Sequence, residues 1–404
     1  MATSQQALIL KTTYERSMEL QKKTKVLIVD LSLKYGGATS RILSLMSRAD
    51  PETIGLAALK SSFISREASK LKISTHIVGQ SKTDLSIGRH LVSLIDSEGY
   101  QVLDTQNIQS KFWGSIAAQR RNVALVSTIN SWYANEHGKV SIKGKIYTAL
   151  ELATNSNLAL YITVSENDRQ SLLQSNIPSE KIELIYNAVN TNPQNVTRNA
   201  DQLRRQFSIS QSSIICIAVG RLVEIKGFDI LIQTAHLLEK ASEKVHFLIV
   251  GDGESKEKLL NQVNTLGVNK SVTFTGYQDR ETVLSLVKSS DIFIMPSRYE
   301  GTPIALLEAG SLGIPIIASN VGGIPELVQD QSHALLIPPN DPLSLAQAIT
   351  RIINDRKLAE TLSINTVERI KEKFNMERQF ELTWSAYHKA LTIHTHGVKH
   401  QTSQ

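Results

Sequence analysis

The chain is short of cysteine, of aromatic residues and of long apolar runs, and each shortage excludes something. Cys216 is the only cysteine, so no intrachain disulfide can form. It lies in the apolar run 214–219, where a buried strand residue is expected rather than a nucleophile. A reducing, cytoplasmic setting fits such a chain. No run approaches the roughly 20 apolar residues that a membrane span needs. The N-terminus lacks the basic region and apolar core of a secretory signal. Aromatics make up 5% of the residues and never alternate with basic ones, so no stacking platform for nucleic acid is expected. No Asp-x-Asp pair occurs. His394, His396 and His400 fall in a polar tail that reads as a frayed terminus rather than a metal site.

What is present suffices for two ordinary domains: 404 residues, 41% hydrophobic and 20% charged. The net charge of +6 is unevenly spread. Residues 1–200 hold 23 Lys and Arg against 16 Asp and Glu, whereas residues 201–404 hold 21 against 22. The first half is the basic half, and such a surface attracts acidic substrates or anionic headgroups. Lys139, Lys143 and Lys145 lie near Trp132, Tyr133 and Tyr147. That combination suits the inner face of an anionic membrane or, equally, a solvated basic loop.

Residues 1–23 read as a helical or loose extension, with Leu10, Tyr14 and Met18 at helical spacing. A first strand is expected at 25–31, followed by Gly36–Gly37 and a helix to about Arg48. Further strands are expected at 123–129 and 158–164. The polar stretch 190–201, which contains Pro193, reads as a linker. A second series follows, with strands at 214–219, 245–250, 272–274, 292–295 and 315–318. Strands alternating with helices argue for two doubly wound parallel-sheet domains, at 24–192 and 202–375, with a cleft between them. Met376, Phe380, Trp384, Tyr387 and Leu391 form a helical stripe over 376–392, and 393–404 is left as a tail.

The most informative segment is E-G-T-P-I-A-L-L-E, bracketed by Glu300 and Glu308. Pro303 suits a first helical position, because its missing N–H is not needed there. The N-terminus of that helix, around Ile304 and Ala305, offers free N–H groups and a partial positive charge to a phosphate. Glu308 would lie about 7–8 Å further along. A phosphate between two carboxylates that accept from hydroxyls describes a sugar nucleotide, although a capped surface helix with two solvated acids reads the same way in isolation. The loop after 214–219 adds Gly220, Arg221, Lys226 and Gly227, with two cations able to reach a diphosphate. Gly251–Asp252–Gly253 follows 245–250, and Gly322–Gly323 follows the strand at 315–318. Each loop alone is an ordinary turn. Together they converge on one sheet edge.

These residues resemble the family 4 retaining glycosyltransferases. The resemblance rests on G-R-L-V-E-I-K-G at 220–227, V-G-D-G at 250–253, F-T-G-Y at 274–277, P-S-R-Y-E-G-T-P-I-A-L-L-E-A at 296–309 and G-I-P-I-I-A-S-N-V-G-G-I-P-E at 313–326. It is fainter in the first half, through Gly36–Gly37 and I-Y-N-A-V-N at 185–190. It implies a GT-B fold whose last helix crosses back to the first domain, and sugar transfer from a UDP-, GDP- or ADP-sugar to a glycan or lipid-linked acceptor, with retention and without a metal or other cofactor. It implies that Arg221 and Lys226 neutralise the diphosphate, Glu300 holds the donor sugar and Glu308 the ribose. Gly301, Thr302, Pro303, Ile304, Ala305 and Gly251 line the donor. Gly36 and Gly37 let the first-domain loop approach donor or acceptor.

Two positions depart from the family pattern. Asn130 stands where a histidine is common, and Asn cannot shuttle a proton; its expected role is to position substrate by hydrogen bonds. Asn187–Ala188 replaces the usual Asn-Gly. An inactive sugar-nucleotide-binding relative, or an epimerase or phosphorylase of the same fold, remains open at this level.

Overall fold

The computed structural model describes residues 24–33, 35–131, 142–155, 157–191 and 196–401. The chain divides into two compact units, Met1–Asn187 with Met376–Gln404, and Ala188–Asn375. The expected extension 1–23 lies outside the described residues.

The first unit is built on seven parallel strands: β1 (Val26–Asp30), β2 (Ile54–Leu59), β3 (Thr75–Gly79), β4 (Val102–Thr105), β5 (Ala124–Ile129), β6 (Leu158–Thr163) and β7 (Ile182–Leu184). Their order is β3-β2-β1-β4-β5-β6-β7. β1 is buried at every position, because both faces of the sheet are covered. Val26 and Ile28 pack into one apolar cluster, with Ile42, Val126 and Trp384. Leu27 and Val29 pack into the other, with Ile87, Leu91 and Ala117. Two of its helices start at a side-chain cap. Asn107 accepts from the Ser110 N–H ahead of the helix Ile108–Arg121, and Ser165 accepts from Asp168 ahead of Glu166–Gln174. Lys111, fully buried, is satisfied by Glu151, Asn155 and Tyr161 at 2.6–2.8 Å, which fastens that helix to the helix Ile142–Ala153.

The last helix, Met376–Gln401, packs on this unit. It runs past the expected end at 392, because Leu391 and Ile393 still pack on the sheet cluster and a His394 ring nitrogen meets Asn122 O at 3.0 Å. The residues expected to fray are therefore helical to Gln401. Tyr387 donates to Asp104 Oδ2 at 2.6 Å, and Thr128 donates to Oδ1 at 2.7 Å. Burial pushes the Asp104 carboxyl up, against these hydrogen bonds and the neighbouring Arg41.

The second unit holds β8 (Ile214–Val219), β9 (Val245–Val250), β10 (Val272–Gly276), β11 (Ile292–Met295), β12 (Ile316–Ser319) and β13 (Leu335–Ile337), all parallel, in the order β10-β9-β8-β11-β12-β13. Cys216 is buried in β8, and burial pushes its thiol well up, which suits packing and not nucleophilic attack. The stretch expected as a linker belongs to this unit. Val189 donates its N–H to Phe374 O at 3.0 Å, and Asn199 caps the helix Ala200–Phe207. Pro193 lies outside the described residues. Each sheet has one point where the strand order reverses, between β1 and β4 and between β8 and β11, and ligands of such sheets sit beyond the carboxyl ends at those points.

Candidate active site

The loops after β8 and β11 meet at the reversal point of the second sheet. After β8 the chain turns through a short 3₁₀ segment, Glu224–Lys226, and enters the helix Phe228–Lys240 at Gly227. Gly227 has φ +66°, and a Cβ there would lie 2.0 Å from Pro296 O, so only glycine permits the two loops to touch. Arg298 then ties them. Its N–H donates to Ile225 O at 2.7 Å, and its guanidinium grips both oxygens of Asp229 at 2.9 and 2.7 Å.

This contact brings Lys226 to Glu300. Lys226 Nζ donates to both carboxylate oxygens at 2.6 and 2.8 Å, and Ser297 Oγ donates to Oε1 at 2.6 Å. Glu300 is only 7% exposed, so its charge needs these partners. Its carbonyl is held from the other side by the Gly323 N–H at 2.9 Å. Gly322, at φ +52°, would place a Cβ 1.9 Å from that carbonyl. The paired glycines after β12 therefore press the Glu300 backbone into position.

The helix that follows is Ile304–Ser311. Pro303 is its N-cap, with φ −71° and ψ 114°, one position earlier than expected from the sequence. The ψ angle is extended, so the proline ring precedes the helix and does not open its first turn. No side chain caps this terminus. The first N–H groups, at Ile304 and Ala305, thus keep their capacity to bind an anion beside buried Gly301, Thr302 and Pro303. Glu308 lies further along the same helix, largely buried, and accepts from Arg280 Nε at 2.8 Å. Burial pushes its carboxyl above the usual range, and Arg280 opposes that.

Arg221 stands exposed at the exit of β8, with no side-chain partner among the described residues. Gly251 gives its N–H to Gly276 O at 3.0 Å, so that group is committed to the neighbouring strand and not to a ligand. In the first unit, Gly36 and Gly37 open the helix Gly37–Met46, and a Cβ at Gly36 would meet nothing within 4 Å. Asn130 follows β5 and donates to Gln106, and Asn187 is buried. Trp132, Tyr133 and Lys139 of the expected basic patch lie outside the described residues, while Lys143, Lys145 and Tyr147 fall on the helix Ile142–Ala153. No described helix is long and apolar enough to cross a membrane. Among the described residues no three His, Cys, Asp or Glu side chains are grouped as a metal would require.

This arrangement of loops on two parallel sheets is shared with known proteins. Residues 199–369 match the glycosyl transferases group 1 family, and residues 72–193 match Glycosyltransferase Family 4. The chain belongs to the family 4 glycosyltransferases. An uncharacterized glycosyltransferase of Methanocaldococcus jannaschii is 26% identical over 75% of this chain and 78% of its own. The UDP-Gal:alpha-D-GlcNAc-diphosphoundecaprenol alpha-1,3-galactosyltransferase of Escherichia coli is 28% identical over 72% of this chain and 76% of its own. The crystal structure of Anabaena HepE in complex with UDP-glucose superposes with a TM-score of 0.78, at 21% identity, covering 94% of this chain and all of the other. The fold is GT-B. As a family 4 glycosyltransferase the chain draws its sugar from a nucleotide donor.

Arg280 and Asp229 lie outside the motifs quoted above, far in sequence from the Glu308 and Arg298 they pair with. Ser297 did carry a signal, since it precedes Glu300 by one turn of chain within P-S-R-Y-E.

Proposed function

We propose that the chain moves a hexose from a nucleoside-diphosphate sugar to a hydroxyl of a glycan or lipid-linked acceptor, with retention of anomeric configuration and without a metal ion. The observation that carries this reading is the Lys226–Glu300 pair beside the uncapped N-terminus of Ile304–Ser311. In the proposed step the bond from the anomeric carbon to the leaving phosphate oxygen breaks, and the diphosphate departs with the electron pair. The acceptor oxygen bonds to the same face of that carbon, and its proton passes to the departing phosphate. Negative charge grows on the phosphate as the bond breaks, so Lys226, Arg221 and the N–H groups of Ile304 and Ala305 stabilise the transition state more than the bound donor. On this reading those groups do for the phosphate what a magnesium ion does elsewhere. Glu300 holds sugar hydroxyls and Glu308 the ribose, and neither needs to act as nucleophile. The basic first half suits a peripheral contact with anionic membrane if the acceptor is lipid-linked.

The test is a panel of UDP-, GDP- and ADP-sugars. The matching donor should raise the melting temperature, since a ligand at 100 times its Kd adds about 2.7 kcal/mol. Turnover should persist in EDTA, and the product should keep the donor's anomeric configuration by NMR. A panel in which no nucleotide binds would defeat the donor site, an inverted product would defeat the same-face mechanism, and loss of turnover in EDTA would defeat metal independence.

A further inference from the structure

A surface helix of a folded domain turns its apolar stripe inward and leaves its charges outside. The helix Ile142–Ala153 does the reverse. Ile146, Ala149, Leu150 and Ala153 stand at the i, i+3, i+4, i+7 spacing of a single stripe, and all four are exposed, Ile146 by 54% and Leu150 by 47%. The only acid of this helix, Glu151, is buried on the inward side, where it accepts from Lys111 Nζ at 2.7 Å. Its one carboxylate is thus committed to the interior by an ion pair, and its apolar stripe is left outside.

The neighbouring helix adds to this face. Ile108–Arg121 and Ile142–Ala153 pack on the same side of the first sheet, through Ala117, Ala118 and Leu152. On the former, Lys111 turns towards Glu151, while Trp113 turns the other way and donates its Nε1–H to Lys82 O at 3.1 Å. Phe112 stands between these two directions, away from Ala117 and Ala118, and is 46% exposed. Charge follows the same face. By helical spacing, position 143 borders the stripe on one edge and position 145 on the other, and both are lysines. The helix therefore brings two positive charges to that side and no free negative one. Isolated exposed apolar residues are ordinary, whereas an apolar stripe rimmed by charge of one sign is what an interfacial helix presents.

We propose that the outward sides of these two helices dock on an anionic lipid bilayer, with Ile146, Leu150 and Phe112 entering the headgroup boundary and Lys143 and Lys145 meeting acidic headgroups. The proposal deepens the membrane contact of the transferase reading and rests on that reading for its purpose, which is to hold the chain where a lipid-linked acceptor lies. Apolar burial supplies part of the attraction and the lysines supply the rest, so binding needs both. The chain's own residues 1–23 suit this face less well. They carry four Lys and Arg against two Glu, and a positive segment is repelled by the lysines that attract an anionic surface.

The experiment is co-sedimentation of the full chain with vesicles of phosphatidylcholine alone and of phosphatidylcholine with about one-third phosphatidylglycerol. The wild type should bind the anionic vesicles, bind them less as salt rises, and leave the neutral ones. Ile146→Gln with Leu150→Gln should weaken that binding about tenfold or more by removing the apolar part. Lys143→Glu with Lys145→Glu should do the same by reversing the charge. The Ile146 and Leu150 variant should melt at the wild-type temperature and keep the wild-type shift by nucleoside diphosphate, because both side chains are exposed. Equal binding to both kinds of vesicle, or binding to neither, would overturn the proposal. So would anionic binding that either pair of substitutions leaves unchanged. A lowered melting temperature in the Ile146 and Leu150 variant would show the stripe covered by another part of the chain, and a wild-type dimer that this variant splits would show it covered by a second copy; either result overturns the bilayer as its occupant. A wild type that binds anionic vesicles but no nucleotide defeats the donor reading and leaves this surface standing.

Discussion

At the scale of the residue, Lys226 is shared between two tasks. It neutralises Glu300 now, and on the proposed mechanism it must reach a diphosphate, so the donor competes with Glu300 for it. Lys226→Ala should lower donor turnover roughly 10²–10³-fold, as loss of one transition-state contact does. It should also lower stability, because a carboxylate 7% exposed loses its cation. Adding Glu300→Gln should restore the stability and not the turnover, which separates the two tasks by urea unfolding and kinetics. Near-wild-type turnover in Lys226→Ala would remove the diphosphate role. Glu308 carries a pH dependence. Its folded pKa is raised above 4.5 by burial, with Arg280 opposing. Below the unfolded value the group is protonated in both states and costs nothing. As pH rises through the folded value it must ionise in a desolvated place, and stability is lost. Glu308→Gln should therefore melt higher than wild type at pH 7, with the gap closing towards pH 4, while its donor KM rises. The half-exposed Arg280 contributes little as a partner. A melting gap that does not change with pH would show that Glu308 is not desolvated in this way.

At the scale of the element, the site depends on two loops being fixed to one another before any ligand arrives. Arg298 is the tie, since its backbone holds the loop that carries Lys226 and its guanidinium holds Asp229 in the first turn of the helix after it. Arg298→Ala should raise donor KM and lower kcat together, because Lys226 then loses its fixed distance from Glu300. Arg298→Lys should rescue poorly, since a lysine cannot grip both Asp229 oxygens. A variant with unaltered KM for the donor and only a lower melting temperature would reduce Arg298 to a stabilising role. These elements differ in how legible they were. β8, β9 and β11 read directly from the sequence, because each is an apolar run that stops at a glycine or proline. β4 did not: it is four residues long and carries Asp104, whose partner Tyr387 is on the last helix. β2 was hidden by Gly55 and two alanines, which lack the β-branching that marks a strand. In the site, the carboxylates and cations were legible as motifs. Their pairing was not, since Lys226 with Glu300 and Arg280 with Glu308 are brought together only by the loops and helices of the folded unit.

At the scale of the whole molecule, the first unit is incomplete until the helix Met376–Gln401 packs on it. Phe380, Trp384, Tyr387 and Ala390 belong to the same apolar cluster as residues of β1 and β5, although the whole of the second unit lies between them in sequence. Trp384 is 1% exposed and stacks edge-on to Tyr387, with ring centroids 5.6 Å apart. Contacts so distant in sequence close large loops and form late. The second unit has its own core, and among the described residues that cluster takes nothing from the helix Met376–Gln401. Trp384→Ala should therefore destabilise the first unit by about 3–5 kcal/mol, the usual effect of deleting a buried large aromatic side chain. The loss should appear as an earlier melting transition, while a second transition, still raised by nucleoside diphosphate, reports the intact second unit. Tyr387→Phe should act in the same direction by about 1–3 kcal/mol, because it leaves Asp104 Oδ2 buried without a donor. If both variants melt in one transition that nucleotide raises as a whole, the two units fold as one, and the last helix supports the donor site as directly as it supports the first sheet.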